Sequence, residues 1–266
     1  MNKLFLLGII ATGFSAQVMG VCTFEPWEQY GDTPLLKHVD GNAYYYVSSH
    51  MGIDADGAPN AYHPEDVGLH CTRGEGFKGL DCPANAGYPK TRWWPSVLVA
   101  DPNNNQQAYV QQEGDYAGFF VTQTTLYDPQ KAPTDPARYV NASQIPYIVF
   151  PGKFHKKSGT GLMGDLGLAI NMATNQQSAF VVADKGPFNA DLGEISIALA
   201  QALGGNKPDP RTGAGKPEGD ILYIVFPYSS RSSPWPMTAG EITQRSQTLL
   251  TEIGGIDGAL ACQTLP

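Results

Sequence analysis

The chain of 266 residues has no long apolar run beyond its first twenty positions, so no later segment suits a membrane-spanning helix. Cysteine is scarce, with four in all, and no Cys-x-x-Cys pair or matching His spacing occurs. That excludes the usual zinc frameworks, and the five His residues form no ligand pattern. Basic residues are in deficit, 17 against 25 acidic, for a net charge of −8. Such a chain is a poor partner for nucleic acid and a natural one for a cationic substrate. Ser48-Ser49-His50 lacks a nucleophile elbow, and the Gly-rich stretch Gly161–Gly167 lacks the Lys-Ser/Thr pair of a phosphate loop. A calcium loop starting at Asp54 fails because Ala58 stands where a third ligand is needed and Pro59 where the glycine is needed. Repeats, low-complexity tracts and clear linkers are also missing.

The N-terminus carries Lys3 and then an apolar run, Leu4–Phe14, of signal-peptide length. Residues 1–20 are therefore expected to be a leader cleaved near Gly20, with the protein secreted or periplasmic. Export fits the even number of cysteines, which favours two disulfides with three possible connectivities. The favoured pairs are Cys71–Cys82, stapling a Gly-rich loop, and Cys22–Cys262, tying the termini.

With 30 Gly and 21 Pro, the chain is rich in turns. Short β-prone runs recur at Tyr44–Ser48, Val97–Ala100, Ala108–Gln111, Gly118–Thr124, Tyr147–Phe150, Leu166–Asn171, Phe180–Ala183 and Ile221–Phe226. The spacing predicts a mainly β (β-rich α+β) fold, a barrel or sandwich with long loops and two or three short helices. One helix is predicted over Leu192–Leu203. Another starts after Thr238, whose capping-box partner is Glu241. Residues 21–266 read as a single domain.

The segment Phe180–Gly205 holds the strongest chemical signal. An apolar run delivers Asp184, a Gly-Pro turn follows, and Glu194 heads the next amphipathic stretch. A strand end and a helix start can set two carboxylates at one cleft, as glycosidic bond cleavage requires. At a helix start the dipole would favour Glu194 as the ionised member. Asp54 and Asp56 form a second acidic group that could hold a cationic sugar or simply shape a polar turn. Tyr62 and His63 follow closely, and Asp165 sits on a loop entering a strand. Most aromatics belong in the core, but Trp93, Trp94 and Trp235 lie in loop-like, Pro-rich sequence where sugar rings could pack.

Several stretches resemble glycoside hydrolase family 75, the endo-acting chitosanases: Met51–Gly57, Ala61–Gly68, Ala84–Tyr88, Tyr147–Pro151, Gly164–Asn171, Val182–Leu203 and Tyr223–Pro227. The specific part is Asp-x-Gly-Pro followed by Gly-Glu-x-Ser-x-Ala-Leu-Ala, which maps the family's catalytic pair onto Asp184 and Glu194. The resemblance implies inverting hydrolysis of β-1,4 bonds between glucosamine units, with no metal or organic cofactor; a monomer is expected. The segments Cys71–Cys82 and Gly205–Gly219 depart from the family pattern and bear on substrate choice. The stretch Ala183–Phe188 and the following helical pattern also resemble rare-lipoprotein-A-like double-psi β-barrels. That likeness implies a double-psi-like barrel core. It also leaves two alternatives open: a peptidoglycan muramidase or lytic transglycosylase, and a non-catalytic wall-binding barrel.

Overall fold

The computed structural model describes residues 22–73 and 76–263; the expected leader lies outside them. Nine strands form one mixed sheet: β1 (Phe24–Tyr30), β2 (Thr33–His38), β3 (Tyr44–Ser48), β4 (Ile53–Asp54), β7 (Tyr147–Pro151), β8 (Leu166–Asn171), β9 (Gln177–Gly186), β10 (Ile195–Ser196) and β11 (Ile221–Phe226). Their spatial order is β1-β2-β3-β11-β8-β9-β7-β10-β4. The pairs β7/β9 and β10/β4 are parallel, and the others are antiparallel. A separate hairpin joins β5 (Ala100–Asp101) to β6 (Asn104–Ala108).

The central strands read as unbroken apolar runs because both faces of the sheet are covered. Side chains alternate strictly between two cores. Tyr147, Val149, Leu222, Ile224, Val181 and Ala183 join one. Ile148, Phe150, Tyr223, Val225, Phe180 and Val182 join the other. Four α-helices occur among the described residues: α1 (Gly152–His155), α2 (Ile197–Ala202), α3 (Ala239–Glu252), which packs on β8 and β9, and α4 (Asp257–Gln263).

The mainly β composition with few short helices is as expected, but the double-psi-like barrel core is not formed. Among the described residues the sheet is open: β1 pairs only with β2, and β4 only with β10. The runs at Val97–Ala100, Ala108–Gln111 and Gly118–Thr124 also fall short of regular strands. They are held by β5/β6 and by isolated bridges at Leu98–Thr122 and Val110–Phe120. Gly114 and Gly118, with φ of 83° and 94°, break the extended path between them.

The helix expected over Leu192–Leu203 starts five residues late. Gly193 has a φ of 129°, which no helix accommodates. The chain then adds β10 to the sheet, and Ser196 caps α2 by accepting from Leu199 N–H. Thr238 and Glu241 form the expected reciprocal capping box at α3. Both expected disulfides are present, Cys71–Cys82 and Cys22–Cys262, the second tying the segment before β1 to α4.

Tyr223 stacks on Tyr46 in the core with ring centroids 5.0 Å apart, and its hydroxyl meets no hydrogen-bond partner among the described residues. Burying that hydroxyl unpaired is costly, whereas the ring alone packs well. Tyr223→Phe is therefore expected to melt at the same temperature as the wild type or higher. A fall of several degrees in thermal denaturation would show that the hydroxyl has a stabilising partner.

Candidate active site

The site grows out of one irregularity in the β7/β9 ladder. Ile148 pairs with Val182 but Val149 pairs with Asp184, so Ala183 is left without a partner. This β-bulge re-aims everything after it. In a regular strand Asp184 would project opposite Ala183. Here it shares a row with Val149, on the face of the first core. Glu194 joins the same row from the other side, because Val149 N–H donates to its carbonyl at 3.0 Å. Asp184, Val149 and Glu194 thus stand side by side across the sheet, and all three line one cleft of about 740 Å³.

The two carboxyls are held differently. Asp184 is buried, and its Oδ1 accepts three hydrogen bonds: from Thr125 N–H (2.8 Å), Thr125 Oγ1 (2.7 Å) and Lys185 N–H (2.7 Å). Its Oδ2 makes no hydrogen bond among the described residues. The bulge contributes here as well, since the freed Ala183 carbonyl accepts from Leu126 N–H and pins the Thr125 segment in place. Burial raises the Asp184 pKa, while the Thr125 and Lys185 hydrogen bonds oppose the rise.

Glu194 is partly exposed, and its carboxyl has no hydrogen bond among the described residues. It sits between two glycines. A methyl on Gly52 would stand 3.3 Å from its Cγ, and one on Gly186 would stand 3.1 Å from its Oε2. Burial first, then the Asp184 and Asp81 charges, raise its pKa to about 7. The helix dipole plays no part, since α2 begins three residues later. The dipole argument for Glu194 as the ionised member therefore has no helix to rest on. Both carboxyls are raised by burial, and hydrogen bonds to the charged form oppose the rise only at Asp184.

Further acids gather beside this pair. Asp54, Asp56 and Asp184 each place a carboxylate oxygen within 4.8 Å of the others. Burial, and then neighbouring carboxylates, push Asp54 and Asp56 well above the usual range. The Tyr62 hydroxyl lies 3.0 Å from Asp56 Oδ1 and 3.2 Å from Asp81 Oδ2. The single Tyr62 hydroxyl thus bridges the two acids. None of the salt bridges among the described residues reaches these acids. Three carboxylates so close suit a bound cation, whether a metal ion or an ammonium group.

Of the residues singled out in the sequence, Asp54, Asp56, Tyr62, Trp93, Asp184 and Glu194 meet in the cleft. Trp93 is half exposed there, and its ring packs over Gly87. Four others lie elsewhere. His63 is buried against Phe119, and its Nδ1 accepts from Glu65 N–H. Trp94 is a core residue packed edge-on to Tyr88. The Asp165 carboxylate is fully buried and accepts from the N–H groups of Leu162, Tyr228 and Ser230, so it joins two loops. Trp235 lines a different groove of about 440 Å³ with Tyr116 and Tyr139. Sequence reading missed Asp81 and Thr125, and held Asn85 and Gly186 only as members of family-like stretches. Asp81 stands beside Cys82, and that adjacency to a bridged cysteine was the available signal.

A cleft lined by a carboxyl of raised pKa, a second carboxyl that accepts three hydrogen bonds, and a half-exposed indole carries the equipment of a glycoside hydrolase. The family model for the fungal chitosanases of glycosyl hydrolase group 75 matches residues 51–255, and the chain belongs to that family. No curated protein matches the chain.

The raised Glu194 pKa links the site to stability. Its folded pKa of about 7 exceeds the unfolded value of 4.5, so its favourable contribution is full below pH 4.5 and is lost as pH rises through 7. Glu194→Gln has no such loss. Its melting temperature is expected to gain on the wild type between pH 4.5 and 7 and to hold a constant lead above that. Calorimetry showing a pH-independent difference would mean that Glu194 titrates normally.

Proposed function

We propose that the protein hydrolyses β-1,4 bonds within chitosan with inversion, Glu194 acting as general acid and Asp184 as general base. The observation that carries the substrate choice is the charge of the cleft: five acidic residues, Asp54, Asp56, Asp81, Asp184 and Glu194, against one basic residue, Lys185, line it. A polymer of protonated glucosamine offers an ammonium on every sugar and relieves the crowding of buried carboxylates. Peptidoglycan presents carboxylates of its own and meets repulsion.

In this mechanism Glu194 donates its proton to the glycosidic oxygen as the bond to the anomeric carbon breaks. Asp184 Oδ2, the oxygen left free by its neighbours, takes a proton from the water that attacks the opposite face. Inversion is favoured by the row arrangement. The two backbones stand two strand spacings apart, about 9.5 Å. An inverting pair keeps its carboxyls roughly 6.5–9.5 Å apart, whereas a retaining pair needs about 5–5.5 Å. Trp93 offers an indole face to a sugar ring in the same cleft, with Tyr62 holding Asp56 and Asp81. We further read residues 21–266 as one exported domain acting as a monomer after loss of the leader near Gly20. The two disulfides support an oxidising destination.

Asp184→Asn and Glu194→Gln are each expected to lower kcat on chitosan by about 10³-fold with unchanged circular dichroism. Reducing-end release from peptidoglycan but not from chitosan would overturn the substrate. Equal turnover by the two variants and the wild type would overturn the pair. Proton NMR of the first products should show the α-anomer; the β-anomer would mean retention.

Thr125→Val removes one donor from Asp184 Oδ1 while keeping the backbone bond. Losing a hydrogen bond to the charged form raises the base's pKa. The acidic limb of the kcat/KM profile should therefore move to higher pH, with a loss of about tenfold at its optimum. An unmoved limb would remove Asp184 from the role of base.

A further inference from the structure

Two loops beside the cleft, within 71–82 and 205–219, are joined to each other in the structure. Arg211 makes the joint. Its Nη1 donates to the Cys71 carbonyl at 3.0 Å, and its guanidinium lies 4.4 Å from the centroid of the Phe77 ring. Its Nη2 pairs with Asp209 Oδ2 at 3.3 Å, and the side chain is only 13% exposed. A planar, multiply donating cation is needed to stack and to bond in two directions at once, which a lysine cannot do.

The loop that carries Arg211 has little slack. Asp209 Oδ1 accepts from Arg211 N–H and Thr212 N–H, Gly213 N–H donates to the Asp209 carbonyl, and Asp209 N–H donates to Ala214. At its neck a side chain on Gly215 would collide with the Asn206 carbonyl. Compact loops of this kind act as units. This one presents Pro210 and Gly213 to the cleft, while Arg211 itself does not line it. On the other side of the joint, Cys71 is bridged to Cys82, whose N–H donates to Asp81 Oδ1 at 2.6 Å. Asp81 lines the cleft and helps to raise the pKa of Glu194.

We propose that Arg211 is a specificity-determining positioning residue. By clamping the 205–219 loop onto the disulfide loop it makes Pro210, Gly213 and Asp81 one fixed wall of the cleft. That wall forms a subsite for a sugar unit of the polymer away from the bond being cut. The inference rests on reading the cleft as an amino-sugar polysaccharide site. It adds that the two loops act together and that the clamp governs binding rather than the chemical step.

The test compares wild type, Arg211→Ala, Arg211→Lys and the double variant Cys71→Ser/Cys82→Ser on glucosamine oligomers of increasing length and on peptidoglycan, with circular dichroism as the folding control. Arg211→Ala should raise KM for long oligomers by about five- to tenfold, change kcat by less than about twofold, and alter the lengths of the products. Arg211→Lys should fall between, and the cysteine variant should shift in the same direction; these two carry the test if Arg211→Ala does not fold. Unchanged KM and product lengths, or a loss confined to kcat, would overturn the proposal while leaving the proposed reaction intact. A wild type inactive on both polymers would overturn the reading of the cleft, and the proposal with it.

Discussion

Everything in the cleft depends on a one-residue slip between β7 and β9. Because Ala183 lies outside the ladder, Asp184 turns to the same face as Val149, and the Ala183 carbonyl is free to hold Leu126. The first effect puts Asp184 in a row with Glu194. The second brings Thr125 onto Asp184 with two of its three donors. A single backbone irregularity thus fixes both where the carboxylate points and how its charge is stabilised. The surrounding sheet, buried on both faces, keeps the bulge from relaxing, since shifting it would move apolar side chains from one core into the other.

The second organising fact is a concentration of acid without matching base. Asp54, Asp56, Asp81, Asp184 and Glu194 share one cleft with Lys185. Desolvation and mutual repulsion raise the pKa of several of them, and Glu194 pushed up to about 7 is the clearest case. The proposed division of the pair into a donor and an acceptor of protons rests on this. The excess of acid also leaves the cleft receptive to positive charge. The proposed chemistry and the proposed substrate thus rest on the same electrostatic imbalance.

Much of this was legible in the sequence, for identifiable reasons. The central strands announced themselves because double burial leaves near-continuous apolar runs, and the capping box at Thr238 is a local signature that tertiary packing did not override. Asp184 was legible as the acid at a strand end. The bulge that aims it was not, because a slip of one position leaves no mark in composition. Glu194 was found but misplaced on a helix, since Leu192, Ile195 and Leu199 fit helical spacing while Gly193 adopts a φ of 129°. Asp165 illustrates the converse. It does sit on a loop entering a strand, yet its carboxylate is consumed by three backbone N–H groups. Barrel closure failed because it depends on the two edge strands meeting, which no local pattern encodes.

The central claim is that the environment divides the pair: Glu194 holds its proton to near neutrality while Asp184 gives its proton up first. Carbon-13 NMR titration of the labelled carboxyl groups, assigned with Asp184→Asn and Glu194→Gln, reads this directly. The account predicts that Glu194 ionises near pH 7 and that, of these two carboxyls, Asp184 ionises first. Glu194 ionising at or below its ordinary 4.5, or Asp184 retaining the last proton, would contradict it.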